Sequence, residues 1–187
     1  MKCLIFFGLL SINCCFSAAA TDAANVEIRA FEQVQLQSFN GLFEQVRQLK
    51  LIKKPLRSKG VFEVTDAALV WHTKTPFEVE YVINQEVIKE TVDGETKIQQ
   101  LSENQHMQAF AKVFAALIKL DKEVILQNFS IEESLHNDKW QLTLTPISSP
   151  IDKVFSKIEI SGNSQIEKIK TASHAGDINS IHLSYER

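Results

Sequence analysis

Cysteine is missing from everything beyond residue 15: the only three are Cys3, Cys14 and Cys15. No disulfide can tie the rest of the chain, and thiol nucleophiles and thiolate metal sites are excluded there. Glycine (6) and proline (4) are scarce, which excludes collagen-like and low-complexity structure. Neither charge sign dominates, with 20 Lys+Arg against 23 Asp+Glu. A strongly basic nucleic-acid binder is therefore excluded, and no nucleic-acid partner is expected. Nucleophile elbows of the G-x-S-x-G type, H-E-x-x-H helices and phosphate-cradling glycine loops are absent. The five histidines, His72, His106, His136, His174 and His182, are scattered without metal-ligand spacing. His174 and Asp177 flank a turn and could pair, which reads as turn chemistry. Glu132 and Glu133 are neighbours on a strand and point to opposite faces, so they do not make an acid pair. No catalytic residue, metal or cofactor is expected, and the chain does not read as an enzyme.

What is present begins with a leader. Lys2 precedes an apolar stretch over residues 3–16, followed by Ser17, Ala18, Ala19 and Ala20. This is the layout of a secretory signal peptide cleaved after Ala20. The apolar stretch is shorter than the roughly 20 residues a membrane span needs. Acylation of Cys14 or Cys15 would need a small residue just before the cysteine, and Asn13 or Cys14 stands there. Residues 1–20 are thus expected to be removed, leaving residues 21–187 as one domain. Lys2 falls in the leader, so the mature chain is one charge more acidic than the −3 of the whole sequence. That balance discourages electrostatic docking on anionic lipid. Without disulfides, an exported chain must rely on a hydrophobic core, and 187 residues suffice to build one.

Beyond an imperfect helical pattern over residues 25–37, the mature chain alternates with period two. Phe62 and Val64 share one face; Leu69 and Trp71 share another; Phe77, Val79, Tyr81 and Ile83 oppose Glu78, Glu80 and Asn84. Such alternation marks half-buried antiparallel strands. Asp93-Gly94 is a hairpin turn signal. Residues 103–119 break the pattern: Met107, Phe110, Val113, Phe114 and Leu117 recur at helical spacing, with Ser102 and Gln105 as a capping box. Strands resume over 127–136, 139–146, 155–161, 164–172 and 178–185. No internal repeat or Gly/Ser/Pro-rich linker interrupts them. The expected fold class is mainly β with helices (α+β). About ten antiparallel strands in one sheet tend to curl, forming an unclosed β-barrel whose concave face the central helix plugs or covers.

The run Phe43-Glu44-Gln45-Val46-Arg47, with Lys53-Lys54-Pro55-Leu56, Ser58 and Gly60, resembles the N-terminal part of LolA-like outer-membrane lipoprotein carriers. Leu69-Val70-Trp71-His72-Thr73 and Thr75-Pro76-Phe77 continue the likeness. So do Trp140-Gln141-Leu142-Thr143-Leu144-Thr145-Pro146, Ile158-Glu159-Ile160-Ser161-Gly162 and His174-Ala175-Gly176-Asp177. The resemblance covers nearly all of residues 25–187. It implies an unclosed β-barrel with an α-helical lid and a periplasmic chaperone that hides acyl chains in the barrel. It also implies an acylated lipoprotein or lipid as cargo, an inner-membrane donor transporter, an outer-membrane acceptor and a monomeric carrier. An enzyme acting on a lipid or polyene-lipid intermediate is the alternative.

Each exposed methylene of an acyl chain costs about 0.8 kcal/mol in water, so a carrier must offer an apolar hollow. The expected acyl-chain lining is Phe62, Val64, Leu69, Trp71, Phe77, Val79, Tyr81, Ile83, Leu142 and Leu144. The expected lid residues are Met107, Phe110, Val113, Phe114 and Leu117. One departure stands out. Well-studied family members place an Arg-Pro pair shortly before the matching tryptophan, and that arginine helps latch the lid. Here Thr65-Asp66-Ala67-Ala68 occupies the position, so closure must work differently or the cargo must differ.

Overall fold

The computed structural model describes residues 28–34, 38–136 and 139–186; the expected leader, residues 1–20, lies outside the described residues. Eleven strands form one antiparallel sheet. They are β1 (Phe39–Gln48), β2 (Leu56–Val64), β3 (Leu69–Thr75), β4 (Val79–Ile83), β5 (Val87–Val92) and β6 (Glu95–Gln100), then β7 (Phe129–His136), β8 (Lys139–Pro146), β9 (Phe155–Gly162), β10 (Ile166–Ser173) and β11 (Ile178–Tyr185). The order across the sheet is β6-β5-β4-β3-β2-β1-β11-β10-β9-β8-β7, so β6 and β7 are its two edges and the barrel is not closed. Four α-helices accompany the sheet among the described residues: α1 (Arg29–Gln33), α2 (Gln105–Lys119), α3 (Lys122–Asn128) and α4 (Ile151–Val154).

The strands follow from the alternation, and the hairpins from local turn chemistry. Asp93 and Gly94 both have positive φ (51° and 81°), the conformation a tight two-residue hairpin between β5 and β6 requires. Glycine serves another purpose in β2. Gly60 lies opposite Phe43 in the β1–β2 register. A Cβ there would fall 2.8 Å from Phe43 Cε1 and 1.9 Å from the His72 carbonyl oxygen. The space it leaves lets Phe43 stack on Trp71, with ring centroids 4.0 Å apart.

Several expectations need correction. Of residues 25–37, the described helix covers only Arg29–Gln33; residues 25–27 and 35–37 lie outside the described residues. Helix α2 is capped by Asn104, whose side chain accepts from the Met107 N–H, whereas Ser102 falls in a preceding 3-10 turn. The strand expected from residue 127 begins at Phe129, because Asp121 caps a second helix, α3, through the Val124 N–H. Phe77 belongs to no strand: β3 stops at Thr75 and β4 starts at Val79. Pro76 has no N–H to offer a ladder, so the chain turns there although its alternation continues.

One half of the concave side is solid. Trp140, Leu142, Leu144, Ile158, Ile160 and Ile166 are wholly buried. Ala30 of α1, Ile125 of α3 and Ile151 of α4 join them in the same apolar cluster. Glu133 of β7 fixes the start of α1 by accepting from the Arg29 and Ala30 N–H groups at 3.1 and 2.9 Å. It therefore supports a helix end, while Glu132 stays on the opposite, exposed face.

Candidate functional site

Helix α2 has one apolar stripe, and that stripe lies across the hollow of the sheet. Val113, Leu117 and Ile118 are buried in the core. Phe114 meets Trp71 of β3 edge-on, with centroids 6.0 Å apart. One turn earlier, Phe110 meets Phe155 of β9 at 6.1 Å. Strands β2, β1, β11 and β10 lie between those two partners in the sheet. The helix therefore spans the concave face without filling it.

Three cavities remain beneath and beside α2, the first and third mainly apolar and the second mixed, with Gln45, Arg47, Ser58 and Thr73 in its wall. The first, about 300 Å³, lies between Phe110, Val113, Phe114 and Leu117 of the helix and Phe155, Ile169 and Ile181 of the sheet. The second, about 390 Å³, is bounded by Phe114, Trp71, Pro76, Phe77, Val79 and Tyr81. The third, about 540 Å³, lies towards the β6 edge between Met107, Phe110 and Phe114 and Tyr81, Ile83 and Ile88. All three fall in the size range of ligand pockets, about 300–1,000 Å³. Phe114 borders every one of them, while Arg47, Phe110, Tyr81 and Ile83 each border two. A further space of about 700 Å³ lies between the Asp66–Leu69 turn and the flank of α2 at Ala111, Lys112 and Ala115.

The hollow is not uniformly apolar. Along the concave face of β1, Phe43 is followed by Gln45 and Arg47. Gln45 accepts from Ser58 Oγ at 3.1 Å and donates to Asn179 Oδ1 at 2.8 Å, forming a polar belt across β2, β1 and β11. Arg47 lines both the first and the second cavity and forms no ion pair or side-chain hydrogen bond among the described residues. Inside the third cavity, Tyr81 donates to Glu90 Oε1 at 2.6 Å. That hydrogen bond, together with burial, pushes the Tyr81 phenol up to about 12. The arrangement offers an apolar floor under α2 and a polar rim with Arg47 at the first two cavities and Lys97 at the third, a layout suited to an amphiphile.

The structure sorts the expected lining residues into three groups. Trp71, Phe77, Val79, Tyr81 and Ile83 border the second cavity, and Met107, Phe110, Val113, Phe114 and Leu117 border one or more of the three. Leu69 reaches only the space on the flank of α2. Phe62, Val64, Leu142 and Leu144 border none of these spaces. They are wholly or almost wholly buried against other side chains and belong to the packed core. Arg47, Glu90, Phe155, Ile169 and Ile181 border the hollow and were not expected there. Alternation could have flagged Ile169 and Ile181, which face each other across β10 and β11. His174 and Asp177 do not pair: His174 Nε2 meets the Asp152 carbonyl at 3.0 Å, and Asp177 accepts from the Lys50 N–H at 2.9 Å.

An open antiparallel sheet, curved around a hollow and crossed by one amphipathic helix, defines the class: an unclosed half-barrel with a helix over its concave face. Within that class, the chain belongs to the family described as outer membrane lipoprotein carrier protein LolA-like, which it matches over residues 15–185. This is a family of lipid or lipoprotein carriers. No curated protein matches the sequence. Among solved structures, the chain is similar to a LolA superfamily protein from Nitrosomonas europaea, at 9% identity and a TM-score of 0.43, over 83% of this chain and 88% of that one. It is also similar to the lipoprotein LppX of Mycobacterium tuberculosis (10% identity, TM-score 0.43, 84% and 93% covered). LprF from Mycobacterium bovis is a third, at 10% identity and a TM-score of 0.33, over 78% and 85%.

Proposed function

We infer that this protein is a periplasmic carrier that shields the acyl chains of a lipoprotein or related lipid and hands them on towards the outer membrane. The supporting observation is that one side chain, Phe114, borders all three cavities beneath and beside α2. A phenylalanine changes rotamer without breaking a hydrogen bond, so the compartments can join into one channel beneath α2. Every methylene moved from water into that channel contributes about 0.8 kcal/mol. Release needs the opposite, and a helix resting on a partly empty hollow gives up less packing on lifting than one buried in a solid core. In this reading α2 is the lid, the apolar cavities take the chains, and the polar belt with Arg47 meets the cargo's polar end. The function is binding and transfer, with an inner-membrane donor and an outer-membrane acceptor as partners and a monomer as the working unit.

Native mass spectrometry with lipid extraction, on protein purified from its own periplasm, tests this reading. An acylated protein or a free lipid bound in stoichiometric amount is the expected result. A second measurement uses Phe114→Asp, which places a carboxylate at the border of all three cavities. The folded variant should lose cargo, because burying an unpaired charge beside a hydrocarbon chain is strongly unfavourable. Cargo uptake unchanged in that variant removes α2 from the binding site. Turnover of a bound lipid that depends on one polar residue would instead mark an enzyme.

A further inference from the structure

The β1–β2 hairpin carries apolar side chains that the fold leaves in water. Leu51 is 96% exposed, and its neighbours Ile52 and Leu56 are 43% and 46% exposed. The exposure belongs to an ordered turn. The Ile52 N–H donates to the Leu49 carbonyl at 3.0 Å, and Gln48 Nε2 donates to the Ile52 carbonyl at 3.2 Å. The Lys50 N–H donates to Asp177 Oδ1, tying the hairpin to the β10–β11 turn. Leu51 is thus held outward rather than left unplaced.

Charge surrounds these apolar tips. Between Leu49 and Arg57 stand Lys50, Lys53, Lys54 and Arg57, with no acidic residue. The chain as a whole is formally −3, so this hairpin is a local reversal that the net charge conceals. Neighbouring elements extend the surface. In the antiparallel register Lys59, early in β2, lies opposite Thr75, the last residue of β3. The β3–β4 turn therefore sits at the same end of the sheet, and it presents Phe77, 78% exposed. Two cavities reach this end: Arg47 and Leu49 border the first, Pro76 and Phe77 the second.

Apolar tips fixed among cations suit one kind of partner, a bilayer with anionic head groups. Protein surfaces seldom expose large apolar side chains together without a use for them. Lysine and arginine beside a membrane are drawn to its negative surface, and their stems reach the interface while leucine enters the acyl boundary. We propose that the β1–β2 hairpin, with Phe77 beside it, docks the protein on an anionic lipid bilayer, with this end of the two cavities facing the membrane. The docking surface stands on exposure and charge alone; its use in loading or unloading rests on the carrier reading above.

The experiment is co-sedimentation of the purified chain with vesicles of phosphatidylcholine mixed with phosphatidylglycerol, beside vesicles of phosphatidylcholine alone. The protein should partition to the mixed vesicles, and added salt should weaken the binding. The double variant Lys53→Glu/Lys54→Glu should bind about 25-fold less tightly or worse, since each basic side chain near an anionic surface contributes about fivefold. Leu51→Asp should also bind less, and a Leu51→Trp variant should show blue-shifted fluorescence on the mixed vesicles. All three positions are on the surface, and their variants should keep their periplasmic cargo. No partitioning of the unaltered protein overturns the proposal, as does unchanged partitioning in both Leu51→Asp and Lys53→Glu/Lys54→Glu. If instead Phe114→Asp alone abolishes vesicle binding, the association was uptake of a lipid into the hollow, and the docking surface is refuted while the carrier reading stands.

Discussion

Lys119 Nζ donates to the carbonyl oxygen of Thr65 at 2.7 Å. The bond joins the last turn of α2 to the turn between β2 and β3, across the rim of the hollow. Thr65 opens the segment Thr65-Asp66-Ala67-Ala68, where well-studied relatives carry a latching arginine. The turn is itself braced, with the Thr65 N–H donating to the Ala68 carbonyl at 2.9 Å and the Ala68 N–H to Thr65 Oγ1 at 3.1 Å. In this chain the cation is on the helix and the acceptor is in the turn.

Replacing Lys119 by Met should loosen that end of α2. A charge-assisted hydrogen bond at a partly exposed site contributes about 1 kcal/mol, so global stability should fall only slightly. Amide hydrogen exchange should rise in residues 105–119 and stay unchanged in β1 and β11. Equal exchange in both proteins would mean that the tether does not restrain the helix.

Phe114→Ala should join the three cavities permanently. The cost in stability should be about 1–2 kcal/mol, less than for a fully buried phenylalanine because this ring already borders empty space. Cargo from this variant, weighed by native mass spectrometry, should shift towards longer or more numerous acyl chains. An unchanged cargo profile would show that the Phe114 ring already moves aside in the unaltered protein or that chains bypass it.

Arg47 is the cation that borders the first two cavities. Arg47→Glu should reduce uptake of lipids with anionic head groups about tenfold or more while leaving neutral lipids largely unaffected, because the change reverses the charge met by the head group. A competition assay with paired anionic and neutral lipids of equal chain length measures this. Equal loss of both lipids would place Arg47 in the architecture of the site rather than in head-group contact.

The chain has two tyrosines, and neither should ionise at its ordinary value near 10 while folded. Tyr81 is raised to about 12 by its hydrogen bond to Glu90 and by burial. Tyr185 is raised by burial, and its hydroxyl donates to the Ile166 carbonyl. A raised phenol favours the folded state below pH 10, and that contribution is lost as pH climbs through about 12. Ultraviolet titration of Tyr185→Phe should show one transition near 12, and Glu90→Gln should move it down towards 10. A transition at 10 with Glu90 intact, in protein still folded by circular dichroism, would mean that the Tyr81–Glu90 bond is not formed.

Gly60→Ala should destabilise the fold by several kcal/mol, because the new Cβ meets backbone and the Phe43 ring together. Thermal unfolding measures the loss, and near-ultraviolet dichroism should report disruption of the Phe43–Trp71 stack. A variant as stable as the parent would mean that β2 and β3 can shift apart without cost.

Periodicity carried most of the fold. The strands at 139–146 and 178–185 and the apolar stripe of α2 were readable because each buries one face. Helix α3 was not, since its short turn depends on the Asp121 cap and adjoins a strand directly. Phe77 misled because it keeps the phase of Val79, Tyr81 and Ile83 even though Pro76 ends the ladder. Leu142 and Leu144 misled for another reason: a strand over a packed core and a strand over a hollow need the same apolar residues. The difference is made by α1, α3 and α4, which fill one half of the concave side and leave the other to α2. The polar belt was illegible, because Gln45 and Asn179 are brought together only by the pairing of the first and last strands.

The unpaired edges at β6 and β7 have a mechanical consequence. A closed cylinder has its girth fixed by strand number and stagger. A sheet with a seam does not, and its two margins can spread or draw in by small changes of twist at each neighbouring pair, with the ladder intact. Interior capacity then becomes an elastic property of the wall rather than a value set by the number of strands.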